Sequence, residues 1–239
     1  MVASGKGGTG KSMFTVNVGL SLARAGYRTL LLDMDIGMRS LDLYLGMQDM
    51  AIYDLADIVR GSCTSESATI ISAHSDKLHM IPAPQFRTEG LIDNDSFGEF
   101  LKRIEAAYEI IIVDCPPGMN ETINLCASFA DLLTLVITSD YLSIRDADAL
   151  EDHLIRMGLM NRTYVVNRMM PELVKDEIEA EIAGIGERLK CDMLGLIAED
   201  SAVRVSTGLG IPLVAVSGDN YIADNFKKMS ERMIKKLGL

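Results

Sequence analysis

This chain of 239 residues has few cysteines, no long apolar run and no excess of positive charge. The four cysteines are far apart and form no C-x-x-C pair, which disfavours a disulfide scaffold and a self-contained zinc or iron–sulfur site. No apolar run approaches the roughly 18 residues of a membrane span. No apolar stretch typical of a secretory leader follows the start. These absences together predict a protein of the reducing cytosol.

Basic residues are also in the minority, with 23 Lys and Arg against 34 Asp and Glu. The resulting net charge of −11 disfavours a generally basic nucleic-acid binder. The 48% hydrophobic content is typical of a globular chain and excludes a disordered one. The length predicts one α/β domain over residues 1–239. Only Met1–Ser4 precede the first glycine, which is shorter than a usual strand. We therefore expect the first strand to be truncated or to begin partway along its usual length.

Short apolar runs alternate with longer segments of helical spacing. The runs lack polar alternation, as strands covered on both faces do. This alternation predicts an open, mostly parallel sheet with helices on both faces. Ser96 and Glu99 have the spacing of a capping box. The predicted strands are Arg28–Asp33, Leu78–Pro82, Glu109–Asp114, Asp131–Thr138 and Thr163–Asn167, and the predicted helices are Ser12–Ala25, Ser96–Ala107, Ser143–Met157 and Lys175–Leu189.

A glycine-rich loop near the start fits the P-loop pattern G-x-x-x-x-G-K-[ST]. Its glycines let successive backbone N–H groups form an anion-binding nest, and the following helix adds its positive end. Lys11, predicted to be catalytic, is suited to the β- and γ-phosphates, and the Ser12 hydroxyl is suited to Mg²⁺. ATP and Mg²⁺ are therefore the predicted ligands. The predicted nucleotide-binding residues here are Gly5, Lys6, Gly7, Gly8, Thr9, Gly10, Lys11, Ser12 and Met13.

Lys6 narrows the class of P-loop protein. With this second lysine at its start, the loop resembles the deviant Walker A motif of the MinD/ParA ATPases. In that family the lysine reaches the nucleotide of a partner subunit. A cation at the γ-phosphate stabilises the charge that develops there during hydrolysis. The resemblance therefore implies that Lys6 is catalytic and that the ATP-bound state is a homodimer.

Further segments resemble the same family in the same order along the chain. Leu32–Asp42 (LDMDIGMRSLD) is similar to switch I of MinD-like members, and Val113–Gly118 (VDCPPG) is similar to Walker B and switch II. Ser143–Asp148, Val166–Arg168 and Ile197–Asp200 match three more family elements. The matches cover most of the chain, which is identified as a MinD-like member of the MinD/ParA ATPases.

The resemblance implies roles for the acidic residues near the phosphates. Asp114 ends an apolar strand and is suited to hold a Mg²⁺-bound water. Asp33 is a second carboxylate for the metal's outer shell. Asp35, predicted to be catalytic, orients the attacking water and also belongs to the metal set with Ser12. Gly118 offers a backbone N–H that senses the γ-phosphate.

At the purine side the resemblance implies three residues. Asn167 can form paired hydrogen bonds with an adenine edge, and Arg168 follows it in the same element. Asp200 assists at the purine, although Ala198 stands where the family has proline. The contact to the ribose stays open.

Two interpretations of the C-terminal segment Tyr221–Leu239 stay open. Apolar residues recur on one face, with basic residues around it. Such a helix suits either the core of the domain or peripheral contact of Met233–Leu239 with the inner face of the membrane.

The leading hypothesis is an ATP-dependent dimerising spatial switch, as in placement of the cell-division site, with slow hydrolysis stimulated by an unknown protein partner. ParA-type DNA partitioning is the nearest alternative, and the acidic composition disfavours it. An ATP-dependent ligase of the dethiobiotin-synthetase type and a nucleotide-binding scaffold without turnover are more distant alternatives.

Overall fold

A computed structural model describes residues 1–86, 90, 92–170, 184–216 and 220–239. Eight strands form one sheet in the order β3-β4-β2-β5-β1-β6-β7-β8. The strands are Val2–Ala3 (β1), Thr29–Asp33 (β2), Ile70–Ile71 (β3), Leu78–Ile81 (β4), Ile110–Asp114 (β5), Leu133–Thr138 (β6), Arg162–Met169 (β7) and Asp192–Ala198 (β8). All neighbouring pairs are parallel except β3 and β4. The predicted open, mostly parallel sheet is confirmed.

Helices cover both faces of the sheet. They are Lys11–Arg24 (α1), Leu41–Leu45 (α2), Leu55–Val59 (α3), Ser65–Ala68 (α4), Asn94–Ile104 (α5), Glu121–Ala127 (α6), Tyr141–Arg156 (α7), Ser201–Gly208 (α8) and Tyr221–Leu237 (α9). One core contains side chains of α1, α2 and α9, and a second contains those of α3, α5, α6 and α7. Within the described residues, no helix has the length and apolar character to cross a membrane.

The five predicted strands all form, with ends that move by two residues at most. Sequence reasoning missed β3 and β8. Of the predicted helix Lys175–Leu189, residues 175–183 lie outside the described part of the chain and residues 184–188 are helical.

The predicted N-cap Ser96 was wrong. Asp93 caps α5, because its carboxylate accepts the backbone N–H of Ser96 at 2.9 Å. The Ser96 hydroxyl in turn accepts the backbone N–H of Asp93 at 3.0 Å. A carboxylate at the start of a helix satisfies a free N–H and favours the positive end of the helix dipole. Glu99 pairs with Arg103 instead, at 3.7 Å.

The apolar face of α9 lies in the core. Ile222, Phe226, Met229 and Met233 are buried, and the rings of Phe226 and Phe14 lie 6.4 Å apart. α9 therefore uses this face to pack against α1 and the sheet, as the core interpretation predicts.

Candidate functional site

The glycine-rich loop lies between β1 and α1, at the carboxyl ends of the central strands. Gly8 and Gly10 have φ values of 78° and 96°, which non-glycine residues rarely adopt. Gly10 also stands directly before α1, so the loop leads into the positive end of that helix. Lys11 is buried, and the Met13 side chain packs in the core. These features form the anion-binding nest expected for phosphates.

The close packing of the loop requires glycine at its start. A Cβ atom on Gly5 would lie 2.2 Å from the backbone carbon of Asp146 in α7. Gly7 has more room, because a Cβ there would meet only Pro117 at 4.0 Å. The Thr9 hydroxyl is buried and has no hydrogen-bond partner among the described residues. The loop is thus held against α7 on one side and against switch II on the other.

Asp114 at the end of β5 meets the start of α1. Ser12 Oγ donates to Asp114 Oδ2 at 2.6 Å, and Thr15 Oγ1 donates to Oδ1 at 3.2 Å. Burial and then the neighbouring Asp33 raise the pKa of Asp114 to about 7, against the opposing effect of Ser12, Lys11 and Thr15. A carboxylate beside a hydroxyl is the hard oxygen donor set that Mg²⁺ prefers. The residues present therefore fit the predicted metal.

Asp33 organises the switch I segment (Leu32–Asp42). Its Oδ1 accepts the N–H of Asp35 at 2.9 Å, and its Oδ2 accepts those of Ser40 and Leu41 at 3.0 and 3.1 Å. Burial raises the pKa of Asp33, and these backbone donors oppose that rise. In this structure the Asp33 carboxylate thus holds the backbone of switch I in place.

Ser40 is a site residue that sequence reasoning missed. Its hydroxyl donates to Ser12 Oγ at 2.8 Å, which joins switch I directly to the predicted metal ligand. Ser40 lies 28 residues from Ser12 and inside the predicted switch I segment, but no role was assigned to it. Asp35 lines an open cleft of about 1080 Å³ between switch I and α6. Burial raises the pKa of Asp35, and Lys11 acts in the opposite direction.

The Lys6 side chain contacts the residue that caps α7 in its own chain. Its ammonium contacts both carboxylate oxygens of Asp140, at 2.8 and 2.9 Å. Asp140 also caps α7 by accepting the N–H of Ser143 at 3.0 Å. Burial works to raise the pKa of Asp140, but hydrogen bonds from Lys6, Thr138 and Ser143 outweigh it and lower the pKa to about 2. Asp140 is therefore an ionised partner of Lys6, and sequence reasoning did not identify it.

Asn167, the predicted purine residue, packs against the phosphate loop. Its Nδ2 donates to the Thr9 carbonyl at 2.7 Å, and its Oδ1 accepts the N–H of Arg168 at 2.9 Å. A Cβ atom on Gly10 would lie 2.2 Å from Asn167 Nδ2, so this contact needs glycine at position 10. The structure thus brings the predicted purine residue and the predicted phosphate residues together.

Two other predicted residues are engaged within the fold. Asp200 caps α8, since its Oδ1 accepts the N–H of Ala202 at 2.7 Å, and Tyr221 lies 3.4 Å from its other oxygen. The Gly118 N–H donates to the Ser4 carbonyl at 2.9 Å. Contact of either group with nucleotide would require it to exchange or share its present partner.

The cysteines do not add a metal centre to this site. Cys115 and Cys126 are both buried, and burial raises the pKa of the Cys115 thiol well above its usual value. The described residues contain no group of three or more His, Cys, Asp or Glu side chains placed to hold a metal ion.

Comparison with known proteins identifies the family. The ParA family model, described as NUBPL iron-transfer P-loop NTPase, matches residues 1–234. The septum site-determining protein MinD of Synechocystis is 31% identical over 214 residues, which cover 90% of this chain and 80% of that protein.

Two solved structures agree with this assignment. MinD in the MinC:MinD cell division complex of Aquifex aeolicus is 29% identical, with a TM-score of 0.86 over 98% of this chain and 94% of that one. The Pyrococcus horikoshii septum site-determining protein complexed with Mg-ADP is 24% identical, and its TM-score of 0.83 over 98% and 94% of the two chains shows the shared fold. The chain therefore belongs to the ParA family of P-loop NTPases, among the MinD-like septum site-determining ATPases.

Proposed function

We propose that this chain is a Mg²⁺-dependent ATPase whose ATP-bound form dimerises and marks a position in the cell, such as the division site. The observation that carries this proposal is the placement of two lysines in one phosphate loop. Lys11 is buried at the nest, whereas Lys6 is one-third exposed and, among the described residues, is paired with Asp140. The first suits binding within the chain, and the second suits a cation that moves between partners.

The phosphate and metal groups have distinct roles in this proposal. The loop N–H groups and Lys11 bind the β- and γ-phosphates. Ser12 holds Mg²⁺, with Asp114 and Asp33 behind it, and the ion neutralises phosphate charge when bound. Asp35 lies in switch I, where Asp33 accepts its N–H, and in this proposal it orients the attacking water.

The purine is bound on the other side of the loop. Asn167 is already fixed by the Thr9 carbonyl, so a purine would meet an ordered amide. Arg168 follows within β7, exposed and with a left-handed φ of 58°, where the pairing of β7 with β8 is irregular. Asp200 contributes from the start of α8. This arrangement favours ATP as the substrate.

The dimer explains why Lys6 lies outside its own phosphate nest. Its ion pair with Asp140 is exposed, and such pairs contribute only about 0.2–1 kcal/mol. Lys6 can therefore exchange Asp140 for the triphosphate of a second ATP-bound chain at little cost. Hydrolysis then depends on two loaded chains meeting, and a protein partner stimulates it.

Turnover and size measurements test this proposal. Phosphate release should require ATP and Mg²⁺ and stop with EDTA. Light scattering should give a dimer with ATP and a monomer with ADP. Lys6→Ala should lose turnover and dimerisation while keeping ATP binding, and Lys102→Ala, on the exposed part of α5, is the matched control. A chain that stays monomeric with every nucleotide would rule out the switch.

Peripheral membrane contact is the second part of the proposal. The apolar face of α9 is buried, so only its end, where Leu239 is exposed, is available for lipid. One short basic segment binds weakly, and a dimer doubles it. Sedimentation with anionic liposomes should show ATP-dependent binding that is weakened when residues 238–239 are removed, a truncation that leaves the buried Met233 in place. Equal binding with ATP and ADP would contradict this.

A further inference from the structure

Two glycines join the switch I side of the site to the purine side through backbone alone. Gly46 follows α2 and Gly210 lies just beyond α8, with φ values of 66° and 64°. A Cβ atom on Gly46 would lie 2.8 Å from the Gly210 carbonyl oxygen. One on Gly210 would lie 2.7 Å from the Gly46 Cα. Real Cβ atoms do not approach backbone this closely, so both positions require glycine for two independent reasons.

Of the two helices that precede these glycines, α2 is attached to the phosphate end of the site. α2 begins directly after Ser40, whose hydroxyl contacts Ser12 and whose N–H contacts Asp33. The next residue, Leu41, also donates its N–H to Asp33. A displacement of α2 would therefore move the groups that surround the predicted metal ligand.

The other helix, α8, is attached to the predicted purine end of the site and to α1. α8 begins at the cap Asp200. The chain beyond Gly210 is fixed to α1, because the Val214 N–H donates to Asn17 Oδ1 at 3.1 Å. Arg24 also donates to the Val214 carbonyl. α8 is thus held in place at both ends.

Two side chains support the same junction. His74 lies at this junction: burial and then Arg24 lower its pKa, and the backbone groups of Gly210 and Leu45 act in the opposite direction. In α2, burial and then the charge of Asp114 raise the pKa of Tyr44, and the charge of Arg168 opposes this rise. The close approach itself extends beyond the two glycines, because a Cβ on Gly210 would also lie 3.0 Å from the Leu43 carbonyl oxygen of α2.

We infer that Gly46 and Gly210 are positioning residues that couple occupation of the purine side to the order of switch I. A bound purine holds α8 and the end of β7, the backbone contact holds α2 against α8, and α2 fixes Ser40 beside Ser12. The nucleotide base thereby contributes to the geometry around the phosphates. This inference rests on the proposed role of switch I in ATP hydrolysis.

Hydrogen exchange tests the coupling without relying on turnover. In the wild-type chain, Mg²⁺ with a non-hydrolysable ATP analogue should slow exchange in Leu41–Leu45 more than Mg²⁺ with inorganic tripolyphosphate, which lacks the base. Gly46→Ala and Gly210→Ala should both abolish this difference while still binding each ligand. His74→Ala removes a side chain at the junction without introducing a collision, and it should reduce the difference in exchange between the two ligands.

A matched glycine provides the control. Gly61 has φ of 75° and no atom within 4 Å of its Cβ position, so Gly61→Ala introduces the same backbone strain without the collision. It should keep the wild-type difference in exchange. In ATP turnover, Gly46→Ala and Gly210→Ala should lower kcat about tenfold or more with little change in KM, since a small misplacement of catalytic groups has effects of this size.

The outcomes separate the two proposals. A difference in exchange that survives in both alanine variants, or is lost equally in Gly61→Ala, overturns the coupling. An absence of ATP turnover in the wild-type chain defeats the proposed ATPase and leaves the exchange result interpretable. If the glycine variants fail to fold, an unchanged difference in His74→Ala overturns the coupling.

Discussion

The ion pair between Lys6 and Asp140 leads to a quantitative prediction about dimerisation. Asp140→Asn removes the charge that holds the Lys6 ammonium but keeps a side-chain oxygen that can cap α7. The substitution should therefore release Lys6 without unwinding the helix. Because the pKa of Asp140 is about 2, changes of pH near neutrality leave its charge intact, and substitution is the better probe.

The expected magnitude follows from the exposure of the pair. The side chains of Lys6 and Asp140 are 33% and 47% exposed. An exposed pair contributes about 0.2–1 kcal/mol, and a dimer breaks two of them, so the gain is roughly 0.4–2 kcal/mol. This corresponds to a dimer that is about 2- to 30-fold tighter. The gain should shrink at high salt, because salt screens the pair that is being removed.

Sedimentation velocity with Mg²⁺ and a non-hydrolysable ATP analogue measures this effect. Asp148→Asn is the control, because Asp148 also lies on α7 and pairs with a cation, Arg188, at 3.1 Å. It changes the net charge equally but leaves Lys6 in place. Dimerisation of Asp140→Asn that is no tighter than that of the wild type and Asp148→Asn would refute the competition between Asp140 and a second chain.

Three further substitutions test the site itself. Lys11→Ala should weaken ATP binding at least about 100-fold, measured by calorimetry, because a buried cation at the phosphates is lost; near-normal affinity would contradict its role. Asp35→Ala should stop phosphate release while light scattering still shows the ATP dimer, and continued turnover would assign water activation elsewhere. Asn167→Ala leaves the Thr9 carbonyl without its buried partner and should lower the free energy of unfolding by about 1–3 kcal/mol in urea titration. An unchanged midpoint would show that the carbonyl finds another donor.

The parts of the fold that have local signals could be predicted from the sequence. Apolar runs without polar alternation identified five strands, because a parallel sheet covered on both faces leaves that pattern. β8 was missed because Gly195 interrupts its apolar run. The structure explains this glycine: a Cβ there would lie 2.7 Å from Met229 of α9, so close packing of the helix excludes a larger residue.

The candidate site shows the same division between local and long-range signals. The phosphate loop was predicted from its residue types and spacing, and Asp114 from the family resemblance and its place at the end of a strand; the structure brings the two together through the Ser12–Asp114 hydrogen bond. Asp140 and Ser40 were missed, because each acquires its role from a partner distant in sequence, 134 residues in the case of Lys6. No local pattern encodes such a pair.

The burial of each lysine accounts for the order of events in the proposed cycle. Lys11 is fixed at the first turn of α1 and is 7% exposed, so its interaction with phosphate is poorly screened and is available within one chain. Lys6 lies at the surface in a pair that costs about 1 kcal/mol or less to break. Nucleotide binding can thus be complete in the monomer. In the proposed cycle, the cation that stabilises the transition state comes from a second loaded chain, and a small energetic difference between its two partners is enough to decide when hydrolysis begins.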